Sequence, residues 1–336
     1  MLEDHIKLGH GSGGVLTRRL IEETLLRFFT SPRLAPLADS AWLEVQGVRV
    51  AFTTDSYVVD PIFFPGGDIG KLAVFGTVND LAVVGALPRF ISCALILEEG
   101  LPAADLEAVL DSMSKAALAA GVEVVTGDTK VVPRGKADKL FINTAGLGVL
   151  PEGAAVPNGE AQAEDAVIVS GPVGDHGAAV LYKREGLNLE SSVTSDCAPL
   201  TDAAQTVLRE ARRVSFMRDL TRGGLATVLN EATGRGRPGI LLTEADIPVR
   251  EEVRSLCEVL GLDPLYLACE GRLAAVVDAA SATAVAEALR TVSGAEQSAI
   301  IGAVSEQYAG KVVLETTLGT RRLLQMLSGE QLPRIC

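Results

Sequence analysis

Alternating apolar and polar positions predict a β-sheet in the first half of the chain. Residues 42–46 and 48–54 alternate on either side of Gly47, a pattern typical of a β-hairpin. Apolar residues that recur at helical spacing predict one helix that is capped by Asp68 and another over residues 102–120. Further strands are predicted at residues 90–98, 122–126 and 140–150.

The second half repeats this mixture of strands and helices. Strands are predicted at residues 166–170, up to residue 277, at 299–304 and at 312–315, and a helix at about 282–292. A segment rich in Ala, Gly, Pro and Glu, residues 151–165, is typical of a domain boundary. We therefore expect an α+β protein with an N-terminal domain over 1–155, a C-terminal domain over 156–318 and a mobile tail over 319–336.

Charge and composition narrow the function. The chain has 30 Lys and Arg against 43 Asp and Glu, a net charge of −13. Because so acidic a surface repels phosphate backbones and anionic lipids, we expect no nucleic-acid partner and no membrane partner. The first residues lack the order of a signal peptide, and no apolar run reaches membrane-spanning length. The five cysteines include no C-x-x-C pair, which is typical of a reduced cytoplasmic protein.

A glycine-rich segment near the N terminus can bring backbone N–H groups close to a phosphate. Gly9 to Gly14 formally match G-x-G-x-x-G, but no convincing strand precedes them and no βαβ unit follows, so the dinucleotide-binding interpretation fails. Gly11, Ser12 and Gly13 are candidates for nucleotide contacts, with Ser12 as a possible cap of the next helix. A flexible N-terminal arm is the alternative.

Four acids stand next to Gly or Thr at predicted element ends, and the chain contains no Walker A sequence. They are Asp55, Asp80 (beside Asn79 in an apolar helix), Asp128 and Asp219. Asp128 follows a strand at 122–126 that we expect to be buried. Hard oxygen ligands at such positions suit Mg²⁺, which bridges to ATP phosphates. Each acid alone is typical of a cap or turn, but the set predicts a nucleotide–metal site between the domains.

Other polar positions accompany these acids. Thr221 and Arg222 lie in a turn at a predicted helix N terminus, a place suited to anions. Thr129 and Lys130 directly follow Asp128. His176 lies in a predicted loop between glycines, where a functional residue and a plain turn residue are both reasonable.

The chain ends in cysteine, an unusual place for a core thiol. Arg334 favours the thiolate of Cys336, whereas the α-carboxylate opposes it. Pro333 makes a continued helix unfavourable. Eight extended residues from Gly329 span at most about 26 Å, so the tail is long enough to swing. A frayed tail that happens to end in cysteine is the alternative.

Together these motifs resemble the HypE family of hydrogenase maturation factors, the carbamoyl dehydratases of the PurM-like (aminoimidazole ribonucleotide synthetase) ATP-binding superfamily. The resemblance covers essentially the whole chain, and the terminal Pro333-Arg334-Ile335-Cys336 distinguishes this family within the superfamily. It implies a two-domain PurM-like fold with a C-terminal mixed α/β sandwich. It also implies a homodimer in which the N-terminal sheets form a barrel, and ATP and Mg²⁺ as cofactors.

The resemblance implies a reaction as well. A carbamoyltransferase, HypF, places a carbamoyl group on the sulfur of Cys336. ATP-dependent dehydration then converts this group to a thiocyanate, and the cyanide passes to iron on a HypC–HypD complex. The product would be the cyanide ligand of the iron in [NiFe]-hydrogenase.

Carried over residue by residue, the resemblance assigns roles to several positions. Asp55, Asp80 and Asp219 match Mg²⁺ ligands, and Asp128 matches a further acid of the site. Asp39 falls where relatives carry a Gly-Asp-Asp-Ala pattern, of which this chain keeps one acid.

Lys130 and Glu270 match polar residues along the path of the modified cysteine. A base must remove the amide protons of the carbamoyl group, and we expect Glu270 in that role, with His176 as the second candidate.

Two other functions stay open from the residues. The chain can instead be a PurM-like ATP enzyme that acts on a free small molecule, such as a selenophosphate synthetase or a thiamine-phosphate kinase. It can also be a carrier in which Cys336 transports a group and ATP only switches the conformation. An enzyme that acts on a free small molecule needs no terminal cysteine, so its turnover should not depend on the tail.

Overall fold

The computed structural model describes residues 5–34, 36–154, 156–157, 159–186, 192–234, 237–327, 329 and 334–336. Its N-terminal strands are β1 (Ala41–Val45), β2 (Val48–Tyr57), β3 (Phe63–Phe64), β4 (Gly67–Asp68), β5 (Leu87–Glu98), β6 (Glu123–Val132) and β7 (Leu140–Val149). The helices are α1 (Val15–Leu20), α2 (Leu26–Phe28), α3 (Ile69–Val83) and α4 (Ala103–Ala120), with a π-helical segment, Ile21–Leu25, between the first two.

Five of these strands form one sheet in the order β1-β2-β7-β5-β6, in which β5 and β6 are parallel and the other pairs antiparallel. Strand β7 alternates between buried and half-buried residues, and its buried face, which includes Leu140 and Ile142, packs against α3. The Asp68 carboxylate caps α3 by accepting from the N–H groups of Gly70 and Lys71. One face of the sheet is therefore covered by helices, and the other is open.

The prediction that the strand before Asp128 is buried is wrong. Strand β6 is exposed along nearly its whole length, with Val125 53% and Val131 66% exposed. The reason is its position at the sheet edge, where it pairs with β5 alone and no element of the described chain covers it.

The C-terminal half is built on a seven-stranded mixed sheet in the order β14-β13-β10-β12-β8-β11-β9. Its strands are β8 (Ala166–Val169), β9 (Val214–Asp219), β10 (Gly239–Thr243), β11 (Leu273–Val277), β12 (Ala299–Ser305), β13 (Val312–Glu315) and β14 (Arg321–Leu324). The helices are α5 (Asp175–Arg184), α6 (Thr201–Glu210), α7 (Gly224–Thr233), α8 (Glu251–Leu260) and α9 (Ala282–Leu289).

Helices cover both faces of this sheet. Val167 and Val169 of β8 pack in a core with α7, whereas Ala166 and Ile168 pack in a second core with α6 and α9. Strands β8 and β11 are buried along their whole length, which explains why they are continuous apolar runs rather than alternating ones. The α+β prediction is confirmed. Among the described residues, no helix combines the length and the apolar composition that crossing a membrane requires.

The ends of the predicted segments differ from the structure. Residue 155 is outside the described residues, so the domain boundary stays a prediction. The predicted tail over 319–336 contains β14, which pairs with β13 because Leu324 is buried and Arg321 bonds Glu315. Pro333 also lies outside the described residues.

Candidate active site

Three carboxylates meet where the two halves of the chain come together. Asp39 precedes β1, Asp80 lies on α3 and Asp219 ends β9, and one oxygen of each lies within 4.8 Å of the others. The Thr53 hydroxyl is 2.8 Å from Asp80 Oδ2 and 2.8 Å from the Asp39 carbonyl oxygen. Arg218 Nη1 is 3.4 Å from Asp39 Oδ1. The set therefore carries more negative than positive charge.

Burial raises the pKa of each of these carboxyls. For Asp80 the negative charge of Asp219 raises the pKa further, and for Asp219 the charge of Asp39 does so. Asp219 Oδ2 is buried and has no hydrogen-bond partner among the described residues. A divalent cation would relieve both the repulsion and the unpartnered oxygen, so the donor set fits Mg²⁺.

One arginine joins three parts of the site. Arg222 Nε is 3.3 Å from Cys336 Sγ, Nη2 is 3.2 Å from Asp55 Oδ1, and Nη1 donates to the Gly11 carbonyl at 3.2 Å. Thr221, beside it, accepts from the Gly224 N–H through its carbonyl in the turn that opens α7. Asp55 thus lies at the arginine, outside the group of three carboxylates.

The glycine-rich segment approaches this arginine closely. A Cβ on Gly13, whose φ is +79°, would lie 2.7 Å from Arg222 Cβ, and one on Gly14 would lie 2.1 Å from the Leu327 carbonyl oxygen. Ser12 does not cap α1: its hydroxyl donates to the Gly9 carbonyl at 3.0 Å. A cavity of about 220 Å³ lies between this segment and the tail.

The last three residues of the chain are docked against the loop after β2. The Val58 N–H donates to a C-terminal carboxylate oxygen of Cys336, and the Asp60 N–H donates to the Arg334 carbonyl, both at 3.2 Å. The Arg334 guanidinium is 2.6 Å from Asp138 Oδ2. These contacts bury Ile335 and Cys336 in the N-terminal core.

In the docked tail the thiol of Cys336 is protonated at neutral pH. Burial raises the pKa of Cys336 to about 12, against the opposing effect of Arg222. Glu270 contributes to the same rise, which puts its carboxyl in the electrostatic surroundings of the sulfur.

Glu270 is itself buried at 2% exposure. Burial, and then the charges of Asp219 and Asp196, hold its pKa well above the usual value. Its Oε1 has no hydrogen-bond partner within the described ranges. A carboxyl with a raised pKa and an available oxygen can accept a proton in a reaction.

Asn79 has a structural part in the site. Its Nδ2 donates to the carbonyls of Ala198 and Glu270 at 3.1 Å, and its Oδ1 accepts from the Leu200 N–H at 2.8 Å. Because these bonds use the amide from both ends, Asn79 ties α3 to the Glu270 loop, and its contact with a nucleotide stays a prediction.

The sequence predicted a loop at His176, and this prediction is wrong. His176 lies in the first turn of α5 and is completely buried. Its Nε2 is 2.7 Å from the Ile335 carbonyl oxygen and its Nδ1 is 2.8 Å from Ser195 Oγ. The preceding glycine, Gly174, starts the helix in the left-handed conformation, which made the segment resemble a loop.

Asp128, Thr129 and Lys130 lie apart from the other candidates within one chain. Asp128 and Lys130 form an exposed ion pair at 2.7 Å on β6, and this contact lowers the pKa of Asp128. In register, Asp128 is three strands from Ser56 on β2, or about 14 Å at the usual strand spacing. Asp128 is therefore not part of the group formed by Asp39, Asp80 and Asp219 among the described residues.

Sequence reasoning missed the residues that hold the tail. Arg184 Nη2 donates to the Arg334 carbonyl at 2.7 Å, and Arg184 Nε donates to the Asp60 carbonyl at 2.8 Å. Arg184 lies on the short helix α5 and Ser195 in a loop, neither in a motif. Their contacts cross from one domain to the other, and a local pattern contains no signal for them.

Comparisons with known proteins agree with this arrangement. The model of the AIR synthase related protein, N-terminal domain, matches residues 37–150, and that of the C-terminal domain matches 162–315. The carbamoyl dehydratase HypE of Rhodobacter capsulatus is 48% identical, over 99% of this chain and 99% of its own.

Solved structures agree as well. A HypE structure in complex with ATP is 50% identical, with a TM-score of 0.81 over 99% of this chain and 100% of its own. The HypE–HypF complex matches at 42% identity with a TM-score of 0.85, over 92% of this chain and 99% of that one. Thiamine monophosphate kinase from Aquifex aeolicus, at 18% identity and a TM-score of 0.66 over 91% and 99%, shares the fold alone.

Proposed function

The chain belongs to the HypE family of carbamoyl dehydratases, with the two-domain PurM-like fold of the AIR synthase related proteins, and from that premise we propose its reaction. It dehydrates a carbamoyl group on the sulfur of its own Cys336, driven by ATP, and produces a thiocyanate. This thiocyanate supplies the cyanide ligand for the iron of [NiFe]-hydrogenase.

The position of Cys336 is the observation that supports the proposal most. A frayed terminus would be solvated, but Cys336 is only 9% exposed, and its sulfur lies 3.3 Å from Arg222 Nε. Through Arg222 it is connected to Asp55 and to the glycine-rich segment. A terminal thiol that is buried beside this arginine and lines the cavity next to the glycine-rich segment is suited to carry the reacting group.

ATP and Mg²⁺ fit the surroundings of this sulfur, and a HypE relative has been solved with ATP. We assign Asp39, Asp80 and Asp219 as the residues that would hold Mg²⁺. Bound there, the ion would neutralise negative charge on the phosphates. Arg222 supplies a cation beside them, and Gly11 to Gly13 allow a close approach of backbone to phosphate.

The chemistry follows from the poor leaving ability of an amide oxygen. The carbamoyl oxygen attacks the γ-phosphorus of ATP, the bond from that phosphorus to the bridging oxygen breaks, and ADP leaves. The carbon–oxygen bond then breaks, and both nitrogen protons are lost as the carbon–nitrogen triple bond forms. The carbamoyl oxygen leaves in inorganic phosphate, so that thiocyanate, ADP, phosphate and one proton balance the carbamoyl group and ATP.

Glu270 is the base that we assign to the nitrogen protons. Burial raises the pKa of Glu270, which makes its carboxylate a stronger base, and its Oε1 is available. The negative charge of Glu270 also raises the pKa of the Cys336 thiol, so the carboxyl and the sulfur interact electrostatically.

Lys130 and Asp128 enter the reaction only through a second copy of the chain. The open face of the N-terminal sheet exposes large apolar side chains, among them Phe52 at 43%, Phe90 at 44% and Ile96 at 42%. An apolar surface of this kind marks an interface. We propose that two such faces close into the barrel of a homodimer, which buries β6 and brings its ion pair to the partner's cleft.

The protein partners follow from the family. We propose that HypF donates the carbamoyl group, as the solved HypE–HypF complex supports, and that a HypC–HypD complex receives the cyanide. A cytoplasmic location stays a prediction.

The intact mass of the protein and mapping of its C-terminal peptide test the function. After incubation with HypF and its carbamoyl donor, Cys336 should gain one carbamoyl group, and Mg-ATP should then remove the mass of one water. Cys257→Ser is the control, since Cys257 is buried in α8 away from the tail. Turnover of ATP on a free small molecule with Cys336 unmodified would instead support a small-molecule enzyme.

A further inference from the structure

We propose that helix α5 is the docking element of the C-terminal tail and that His176 works on it as a neutral hydrogen-bond donor, a positioning residue rather than a base. The inference rests on the proposed function in one respect: the function explains why docking matters, because docking brings the Cys336 sulfur to the cleft. The contacts themselves belong to the unmodified chain.

The hydrogen bonds of His176 place one proton of its ring. A carbonyl oxygen only accepts, so Nε2 carries the proton that is donated to Ile335 at 2.7 Å. Burial lowers the pKa of His176, which favours the neutral ring, and in the neutral ring Nδ1 has the lone pair and accepts from the Ser195 hydroxyl at 2.8 Å. The Cys197 N–H donates to Ser195 Oγ at 3.1 Å, which leaves the hydroxyl proton for His176. This chain of bonds is satisfied by neutral imidazole.

The ring is also fixed sterically. The Phe64 ring meets it edge to face, with 5.2 Å between the centroids, and His176 has no exposed surface. The Ser195 N–H donates to the Pro65 carbonyl at 2.8 Å, so the loop that orients the histidine is tied to the same hairpin region as Phe64. A residue held from three sides is suited to positioning.

The other end of α5 holds the neighbouring carbonyl. Arg184, the last residue of the helix, donates to the Arg334 carbonyl at 2.7 Å, one residue before the carbonyl that His176 holds. Arg184 also donates to the Asp60 carbonyl at 2.8 Å, on the strand-like segment that the tail pairs with. Two side chains of one helix therefore hold two consecutive tail carbonyls.

These bonds leave His176 without a free lone pair for a reacting group. Nε2 donates to the backbone of the residue that precedes Cys336, and Nδ1 accepts from Ser195. To act as a base, the ring would have to release one of the two partners that define its position. Glu270, with an unpartnered oxygen in the described structure, needs no such rearrangement.

The rate at which iodoacetamide alkylates Cys336 measures how often the tail undocks, because the docked thiol is buried and protonated. The assay uses the full unmodified chain without ATP or HypF, and peptide mapping separates Cys336 from the other cysteines. We expect His176→Leu to raise this rate about tenfold, the effect of one buried hydrogen bond and its orphaned carbonyl. His176→Gln, which keeps an N–H donor, should restore the rate to within about twofold of the wild type.

Arg184→Gln should raise the rate by a similar factor, and Lys183→Gln is its matched control, since Lys183 is exposed on the same helix and should change nothing. Wild-type alkylation rates in both His176→Leu and Arg184→Gln would overturn the proposal. If His176→Leu does not fold, as judged by thermal unfolding, the Arg184 and His176→Gln variants decide.

Dehydration of the carbamoylated chain separates a positioning residue from a base. A positioning role predicts that His176→Gln retains most of the single-turnover rate at saturating Mg-ATP. A loss of 100-fold or more in His176→Gln with wild-type alkylation would mean that the ring removes a proton, and would overturn the proposal. If the wild type does not dehydrate at all but its variants undock as expected, the proposed function fails and the docking element stands.

Discussion

Replacing Asp219 by Asn should stabilise the metal-free protein while it removes the response to Mg²⁺. Asp39, Asp80 and Asp219 place carboxylate oxygens within 4.8 Å of one another. Two unit charges at that distance repel each other by about 3.5 kcal/mol at an effective dielectric constant of about 20. Arg218 and partial protonation of the cluster already relieve part of this, so we expect Asp219→Asn to gain about 2–3 kcal/mol.

The pH dependence of stability shows independently that the charged carboxylates destabilise the folded protein. The folded-state pKa of Asp80 and of Asp219 is raised, so the folded protein binds protons more readily than the unfolded chain. The destabilisation is absent below the ordinary pKa of Asp, about 3.9, and grows as the pH rises towards the raised values. Mg²⁺ should therefore raise the melting temperature of the wild type more at pH 8 than at pH 5.

Thermal unfolding with and without Mg²⁺ measures both effects. At about 2 °C per kcal/mol for a chain of this size, Asp219→Asn should melt about 4–6 °C higher than the wild type without metal. Mg²⁺ at about 100 times its Kd should stabilise the wild type by about 2.7 kcal/mol and the variant hardly at all. Glu287→Gln, an exposed acid on α9, is the control. A destabilised Asp219→Asn that still responds to Mg²⁺ would refute the cation site.

Three further predictions concern the reaction and the assembly. Glu270→Gln should slow dehydration of carbamoylated Cys336 by about 10²–10⁴-fold without preventing carbamoylation, as followed by the mass of the C-terminal peptide; a near wild-type rate would exclude it as the base. Cys336→Ser should abolish thiocyanate formation and leave the melting temperature within a few degrees, whereas general unfolding would show that the tail is a structural part of the core. Phe90→Glu should convert the proposed dimer to a monomer in light scattering, whereas Val259→Glu, at an exposed position of α8, should not; an unchanged mass for Phe90→Glu would place the interface elsewhere.

Local patterns predicted those parts of the fold that depend on neighbours in sequence. The alternation around Gly47 gave the β1–β2 hairpin, and Asp68 gave the cap of α3, because turns and caps are decided within a few residues. Helix α5 was missed, since its N-cap, Gly174, and the next glycine resemble a loop. Strand β6 was expected to be buried, since its apolar composition does not reveal whether a neighbour lies in the same chain.

The candidate site likewise contains residues that the sequence reveals locally and residues whose roles depend on distant parts of the chain. Asp80 and Asp219 stand out in sequence because an acid within an apolar element needs a partner. The same reasoning suggested Asn79, but the partners of its amide are backbone groups of the other domain, which no spacing along the chain predicts. Arg184 was missed for the same reason: its contacts with Asp60 and Arg334 span 124 and 150 residues.

The contacts that position Cys336 for dehydration also withhold it from carbamoylation. In the docked tail the thiol is buried and its pKa is raised to about 12, so thiolate attack on a carbamoyl donor is strongly disfavoured. The tail must therefore undock to receive the group and dock again to lose water from it. Docking that is too strong would slow the first step and docking that is too weak the second. The bonds from His176, Arg184 and the N–H of Asp60 are few and lie at the end of the chain, and each adds only a modest net free energy. A tail held by several modest bonds can exchange between two sites, and this is the property that the two-step reaction requires.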